Sequence, residues 1–248
     1  MAGAEDERFF DKPFVLPAIV LGIGIILSAA VVSYTLYAMR SLDNTLSVTG
    51  SAKQDVKADS AKWTVQVYRG VSEEGVSAAY GQVARDADAV KAYFAQAGIP
   101  EADISVTTVV ADQDWSYNQN GGPKRYNVHE DITIQSDDVE KIRGLSQNIG
   151  ALAAKGLSIM PQQPQYFVST LPELRVQLLG AAIADAKARA QSIAGTAGAG
   201  VGRLKSASSG VVQVLAPNAT NVEDYGSYDT STIDKEVMVT ARATFLVR

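Results

Sequence analysis

With 248 residues, 46 % of them hydrophobic, and a net charge of −5, the chain has room for a membrane segment and a sizeable folded portion. The acidic balance argues against a nucleic-acid binder, whose phosphate contacts need a basic face. The absence of cysteine excludes disulfides, thiolate catalysis and zinc–thiolate sites.

The chain opens on a polar tail, residues 1–12, too short to fold alone. Pro13 to Met39 follows, 27 residues with no charge between Lys12 and Arg40. As a helix this stretch reaches about 40 Å, enough to cross a hydrocarbon core of roughly 30 Å with some tilt. Tyr34 and Tyr37 stand near its exit, where amphipathic rings favour the headgroup layer. The apolar run exceeds the usual signal-peptide core of about 7–15 residues, and Tyr37-Ala38-Met39 is a poor cleavage site, so a retained single-pass anchor in the lipid bilayer is expected. A helix apolar on every face is also unusual as a buried element in a protein of this size. Ala18/Gly22, Gly24/Ser28 and Ala29/Ser33 have the small-residue spacing that lets helices approach closely. Charge bias leaves the orientation open, with Arg8 and Lys12 before the span and Arg40, Lys53 and Lys57 after it.

Residues 40–45 read as a linker, and a short alternating stretch, Leu46 to Thr49, leads to Gly50. Lys62 to Tyr68 places Trp63, Val65 and Val67 on one face of a half-buried strand. From Ser72 a helix is predicted, with Val76, Ala79, Tyr80, Val83, Ala87, Val90, Phe94 and Ala97 on its apolar stripe and a stop at Gly98 and Pro100. Ile104 to Tyr117 and Arg125 to Gln135 form a hairpin around the Asn118 to Gly122 loop. The second strand sets Tyr126, Val128, Ile132 and Ile134 against Arg125, Asn127, His129, Asp131 and Thr133 on the other face.

A helix over 138–152 follows, with Asp137 as N-cap and Glu140 closing a capping box. Leu157 to Val168 is a strand confined by Pro161 and Pro164 to an edge or a bend. Thr170 to Glu173 is another capping box, opening a long helix whose apolar face is read as Val176, Leu179, Ile183, Ala186, Ala190 and Ile193. Arg203 to Leu215 and Lys235 to Val247 are two further strands.

The order strand, helix, strand, loop, strand thus occurs twice, in 62–135 and 157–247. The expectation is an α+β domain over 46–248 with halves of about 46–136 and 157–248, each a sheet with its helix on one face, joined by the helix 138–152. Sheet faces left uncovered predict a homo-oligomer.

Leu46 to Val67, Ala97 to Val109, Gly180 to Gly210 and Val237 to Val247 together resemble the SIMPL domain family. They match, in turn, its opening strands, its helix end and third strand, its late Ala-rich helix with a glycine-rich exit, and its closing strand. Ala58-Asp59 stands where that family usually has Pro-Asp. The resemblance implies a bacterial envelope protein, periplasmic or anchored in the inner membrane with its domain outside the cytoplasm, loosely linked to stress. Some members of the family build large oligomers. It supplies no catalytic residues to transfer.

The residues themselves offer little chemistry. His129 is the one histidine, on a polar strand face, and reads as a surface residue. Asp112 with Asp114, and Glu130 with Asp131, are carboxylate pairs, but the run from Asp112 through Ser116 and Asn118 has no closing acid for a calcium loop. Gly198 to Gly202 ends a helix without a following Gly-Lys-Ser/Thr, so it is no phosphate loop. Ser208-Ser209-Gly210 lacks a nearby base, and Asn218-Ala219-Thr220 is a chance glycosylation triplet. No catalytic, metal or cofactor-binding residue is therefore assigned. Aromatics in polar loops, Trp115, Tyr117, Tyr126, Tyr225 and Tyr228, suit contact with a partner or sister subunit. The expected function is a non-enzymatic oligomeric scaffold or envelope-stress component. The alternative is a solute-binding module using a groove between the halves, which calls for a large apolar cleft.

Overall fold

The computed structural model describes residues 15–41, 44–115, 123–219 and 225–248. The polar tail, Pro13, Tyr117, the Asn118 to Gly122 loop tip and Thr220 lie outside the described residues. Helix α1 (Val15–Ser41) is followed by strands β1 (Thr45–Lys57) and β2 (Ser60–Ser72), a 3-10 turn (Glu73–Gly75) and helix α2 (Val76–Gln96). Strands β3 (Ile104–Val106), β4 (Val110–Gln113) and β5 (Arg125–Ser136) come next, then helices α3 (Val139–Gln147) and α4 (Gly150–Ala154). Short strands β6 (Ile159–Pro161) and β7 (Gln165–Phe167) precede the long helix α5 (Leu171–Thr196), and β8 (Val201–Leu215) and β9 (Asp234–Val247) close the chain.

The α+β organisation is as expected, in two compact units, one of residues 1–50, 183–208 and 241–248, the other of 51–182 and 209–240. The larger unit holds a sheet of order β3-β5-β2-β6, with β4 also on β5 and β7 also on β2. Strands β2 and β5 are antiparallel from Ala61↔Ser136 to Ser72↔Arg125. Directly opposed residues share a face, so Trp63, Val65 and Val67 join Val128, Ile132 and Ile134 in one buried layer. Ala79, Val83, Ala87, Val90 and Phe94, at helical spacing on α2, complete that core. Trp63 anchors it, with its ring edge-on to Phe94 at 5.6 Å and its Nε1–H donated to the Gln162 carbonyl at 2.8 Å. The indole is thereby fully buried without an orphaned donor. Helix α2 stops where the sequence indicated, at Gly98, whose φ of +81° suits a residue without a Cβ.

Four local expectations need correction. The segment 157–168 does not share a sheet with the strands after α5. Instead β6 and β7 pair with β2, for example Val65↔Pro161 and Ala61↔Tyr166. Pro161 and Pro164 supply no N–H, so this segment is suited to lining an edge. The place beside β9 is taken by β1, in a three-stranded sheet of order β1-β9-β8. β1 runs through Gly50 to Lys57, because Ala52 and Val56 continue its inward alternation. The predicted strand 104–117 is two pieces, β3 and β4. Helix 138–152 breaks into α3 and α4, and its cap is Asp138, whose Oδ1 accepts the Lys141 N–H at 3.0 Å.

The largest correction concerns α5. Its buried row is Leu174, Leu178, Ala182, Ala186, Ala190 and Ala194, every fourth residue, whereas Val176 and Ile193 are 71 % and 52 % exposed. A step of four runs obliquely across a helix of 3.6 residues per turn, along one surface ridge. Alanine in that ridge lets backbone layers approach closely, a role that side-chain hydrophobicity alone under-reads. In one unit Ala186 and Ala190 pack with Val48, Ala243 and Phe245; in the other Leu174 and Leu178 pack with Val214, Val237 and Val239. Ala186→Leu is accordingly expected to cost about 1–3 kcal/mol by overpacking. Val176→Ser and Ile193→Ser should each stay within about 0.5 kcal/mol, as measured by urea titration.

Candidate interaction surfaces

Helix α1 contains a 24-residue apolar stretch, Leu16–Met39, of which no part is buried against protein. Two of its hydroxyls are answered within the helix: Ser28 Oγ donates to the Ile25 carbonyl at 2.9 Å and Thr35 Oγ1 to the Val31 carbonyl at 2.8 Å. Such internal bonds remove the penalty these groups would meet in hydrocarbon. Tyr34 and Tyr37 are both exposed near the exit. The helix is long and apolar enough to cross a membrane.

The loop aromatics divide. Trp115, just beyond β4, is 69 % exposed and Tyr225 is 97 % exposed. Tyr228 instead has a structural role: its hydroxyl accepts the Val168 N–H at 2.9 Å and its ring lies 6.0 Å from that of Phe167. Tyr126 is half-buried, opposite Gln113 in the β4–β5 ladder. Tyr117 lies outside the described residues.

The carboxylate pair Glu130 and Asp131 separates. Strand alternation turns Glu130 into the core, opposite Val67, and Asp131 to the other face, where Gln66 Nε2 donates to it at 2.9 Å. Thr64 and Thr133 share a hydroxyl hydrogen bond of 2.8 Å on that polar face. His129 lies there too, opposite Tyr68, with its Nδ1 3.8 Å from Asp112 Oδ2, beyond hydrogen-bonding range. Among the described residues no group of three or more metal-ligating side chains forms. An open recess of about 600 Å³ lies beside the end of β5, lined by polar side chains including Lys62, Asp103, Ser105, Thr133, Gln135 and Asp137.

Two buried charges went unread in the sequence. Glu130 is 8 % exposed and its Oε2 has no hydrogen-bond partner. Burial, and secondarily the Asp88 carboxylate, push its pKa above the ordinary glutamate range. Lys235 is 1 % exposed, and its Nζ donates to the carbonyl of Asp229 and, at 3.3 Å, to that residue's Oδ2. Desolvation lowers the Lys235 pKa while the Asp229 charge opposes that shift. For Asp229 burial favours the neutral acid, but hydrogen bonds from Ser231 and Thr232, assisted by Lys235, win and hold it well below the usual carboxylate range.

This clasp fixes the loop before β9 onto the rest of its unit. Thr230 accepts the Tyr166 N–H and Ile233 the Ala58 N–H, each at 2.8 Å. Asp59, in the turn between β1 and β2, accepts both the N–H and the hydroxyl of Ser169 at 2.7 Å.

The family model for SIMPL, described as a protein of unknown function (DUF541), matches residues 46–245. The chain belongs to the SIMPL family. No curated protein matches it. The match begins at the opening of β1 and ends within β9, so the SIMPL domain takes in both sheets and leaves α1 outside.

In this SIMPL domain the missed charges carried a readable signal. Glu130 is in phase with Val128 and Ile132, and Lys235 with Val237 and Val239, so each is a charged residue at an inward position of an alternating strand.

Asp229→Ala leaves the Lys235 ammonium buried and unpaired, and should cost about 3–5 kcal/mol, most of it recovered when Lys235→Met is added. Chemical denaturation of the wild type, the single variant and the double variant measures this. For Glu130, a folded-state pKa above the unfolded one means stability is present at low pH and lost as pH rises through the folded value. Glu130→Gln should therefore match the wild type below pH ~4 and gain on it progressively as pH rises, as followed by thermal melts across pH.

Proposed function

We propose that this SIMPL protein is a single-pass inner-membrane protein, with its C-terminal domain on the periplasmic side. It acts without catalysis, as an oligomeric scaffold or envelope-stress component. The observation that carries the anchor is α1, apolar along 24 residues and buried against nothing. A helix with no protein surface to cover its apolar faces is stable in lipid and a liability in water. The exposed Trp115 and Tyr225 give the domain large apolar side chains suited to contact between subunits. The extracytoplasmic side rests on the SIMPL resemblance, and a chain without cysteine suits that compartment as well as any.

The test is the mass of detergent-solubilised full-length protein beside a chain starting at Leu42. The expected result is a discrete oligomer in both, with the SIMPL domain making the assembly. An oligomer from the full-length protein alone would assign association to the anchor, and a monomer in both would overturn the scaffold reading. Protease added to intact spheroplasts should digest the domain; full protection would overturn the proposed side.

A further inference from the structure

The recess beside the end of β5 gathers charged groups that the fold itself leaves unused. Its lining includes Lys62 on β2, Ser105 on β3, Thr133 and Gln135 on β5, Asp103 just before β3 and Asp137 just after β5. Lys62 is paired with Gln135 and Ile104 with Ile134, so Asp103, the residue before β3, stands across Gln135 from Lys62. Two strand spacings set these opposite charges about 10 Å apart, too far for an ion pair. Asp137 lies two residues beyond Gln135, and the helix behind it makes no use of its carboxylate, because Asp138 caps α3. Among the described residues, none of the three charged side chains has a hydrogen-bond or ion-pair partner. The floor beneath them is fixed. Trp63 and Ile134, which alternate with Lys62, Thr133 and Gln135 along the strands, are fully buried on the opposite face, and Thr133 is held by its 2.8 Å bond to Thr64.

We propose that this recess binds a free diamino acid of the lysine or ornithine type. Such a ligand carries two ammonium groups and one carboxylate, the mirror of a lining with two carboxylates and one ammonium. Lys62 takes the ligand's carboxylate, and Asp103 and Asp137 take one ammonium each, as charge-assisted hydrogen bonds. Gln135 stands between them and offers both an N–H and a carbonyl, and the Ser105 hydroxyl adds an acceptor. The volume of about 600 Å³ falls within the span of small-molecule sites, about 300–1,000 Å³. Charge sets the selectivity. A neutral sugar would leave all three charges unanswered, and an acidic solute would bring its charge to two carboxylates for one ammonium. All of these residues belong to the larger unit, and the inference does not depend on the scaffold reading.

Titration calorimetry of the detergent-solubilised full-length protein with L-lysine tests this. Saturable binding of one ligand per chain is expected. Norleucine, which lacks the side-chain ammonium, and glutamate, with the opposite charge balance, should each bind at least about tenfold more weakly, the loss of one charge-assisted hydrogen bond. Lys62→Met, Asp103→Asn and Asp137→Asn should each weaken L-lysine binding about tenfold. These side chains are exposed, so the variants should keep the wild-type melting temperature. Asp112→Asn, an exposed carboxylate on β4 outside the recess, should leave binding unchanged. Absence of saturable binding overturns the proposal. So does equal binding of norleucine or glutamate, unaltered binding by the three recess variants, or an equal loss in Asp112→Asn.

Discussion

A buried ammonium group must be answered by its own chain, and Lys235 is answered six residues earlier by Asp229. That requirement decides the path of the loop. With Asp229 held by Ser231, Thr232 and Lys235, the backbone presents Tyr228, Thr230 and Ile233 to Val168, Tyr166 and Ala58 in turn. Unpaired, the same charge would destabilise the unit it sits in, so the device is strong only as a whole. Ends of three separate segments are thereby tied together without a disulfide.

The packing follows two different rules. Under α2 the layer is built from large side chains, with Trp63 and Phe94 filling volume and the indole N–H satisfied by Gln162. Along α5 the row is mostly alanine, so contact comes from backbone closeness instead of side-chain bulk. Gly210 follows the second rule within the β8–β9 pair, since a Cβ there would collide with Thr240 Oγ1. The polar outer face of the large sheet is stabilised differently again, by the cross-strand bonds Thr64 to Thr133 and Gln66 to Asp131.

Much of this fold was legible wherever a period was unbroken and its residues were large. The β2 alternation of Trp63, Val65 and Val67, the stop at Gly98 and the α2 stripe are as the pattern indicates, except that Tyr80, read as part of that stripe, is exposed. Reading failed where small residues carry the burial, as in the α5 row, because alanine scores weakly against Val176 and Ile193. It failed too for sheet membership: local periodicity defines a strand and its faces, but carries no information on which distant strand it joins. Thus β6 and β7 were separated from β2, and β1 from β9. Of the surface residues, Trp115 and Tyr225 stand outward as their polar surroundings suggest, while Tyr228 is engaged by Val168 and Phe167. The same surroundings held both kinds, so composition could not tell them apart.

The pairing of β1 with β9 has a temporal side. One strand begins at Thr45 and its partner begins at Asp234, so the first folded strand to leave the ribosome waits for almost the last. Closing a contact over such a sequence separation is slow, since chain entropy is lost well before any bond rewards it. The β2–α2–β5 layer, whose partners lie nearer in sequence, can consolidate meanwhile. A ribosome stalled or a message truncated shortly before β9 would release a chain with one finished layer and a bare β1, a species suited to chaperones and proteases.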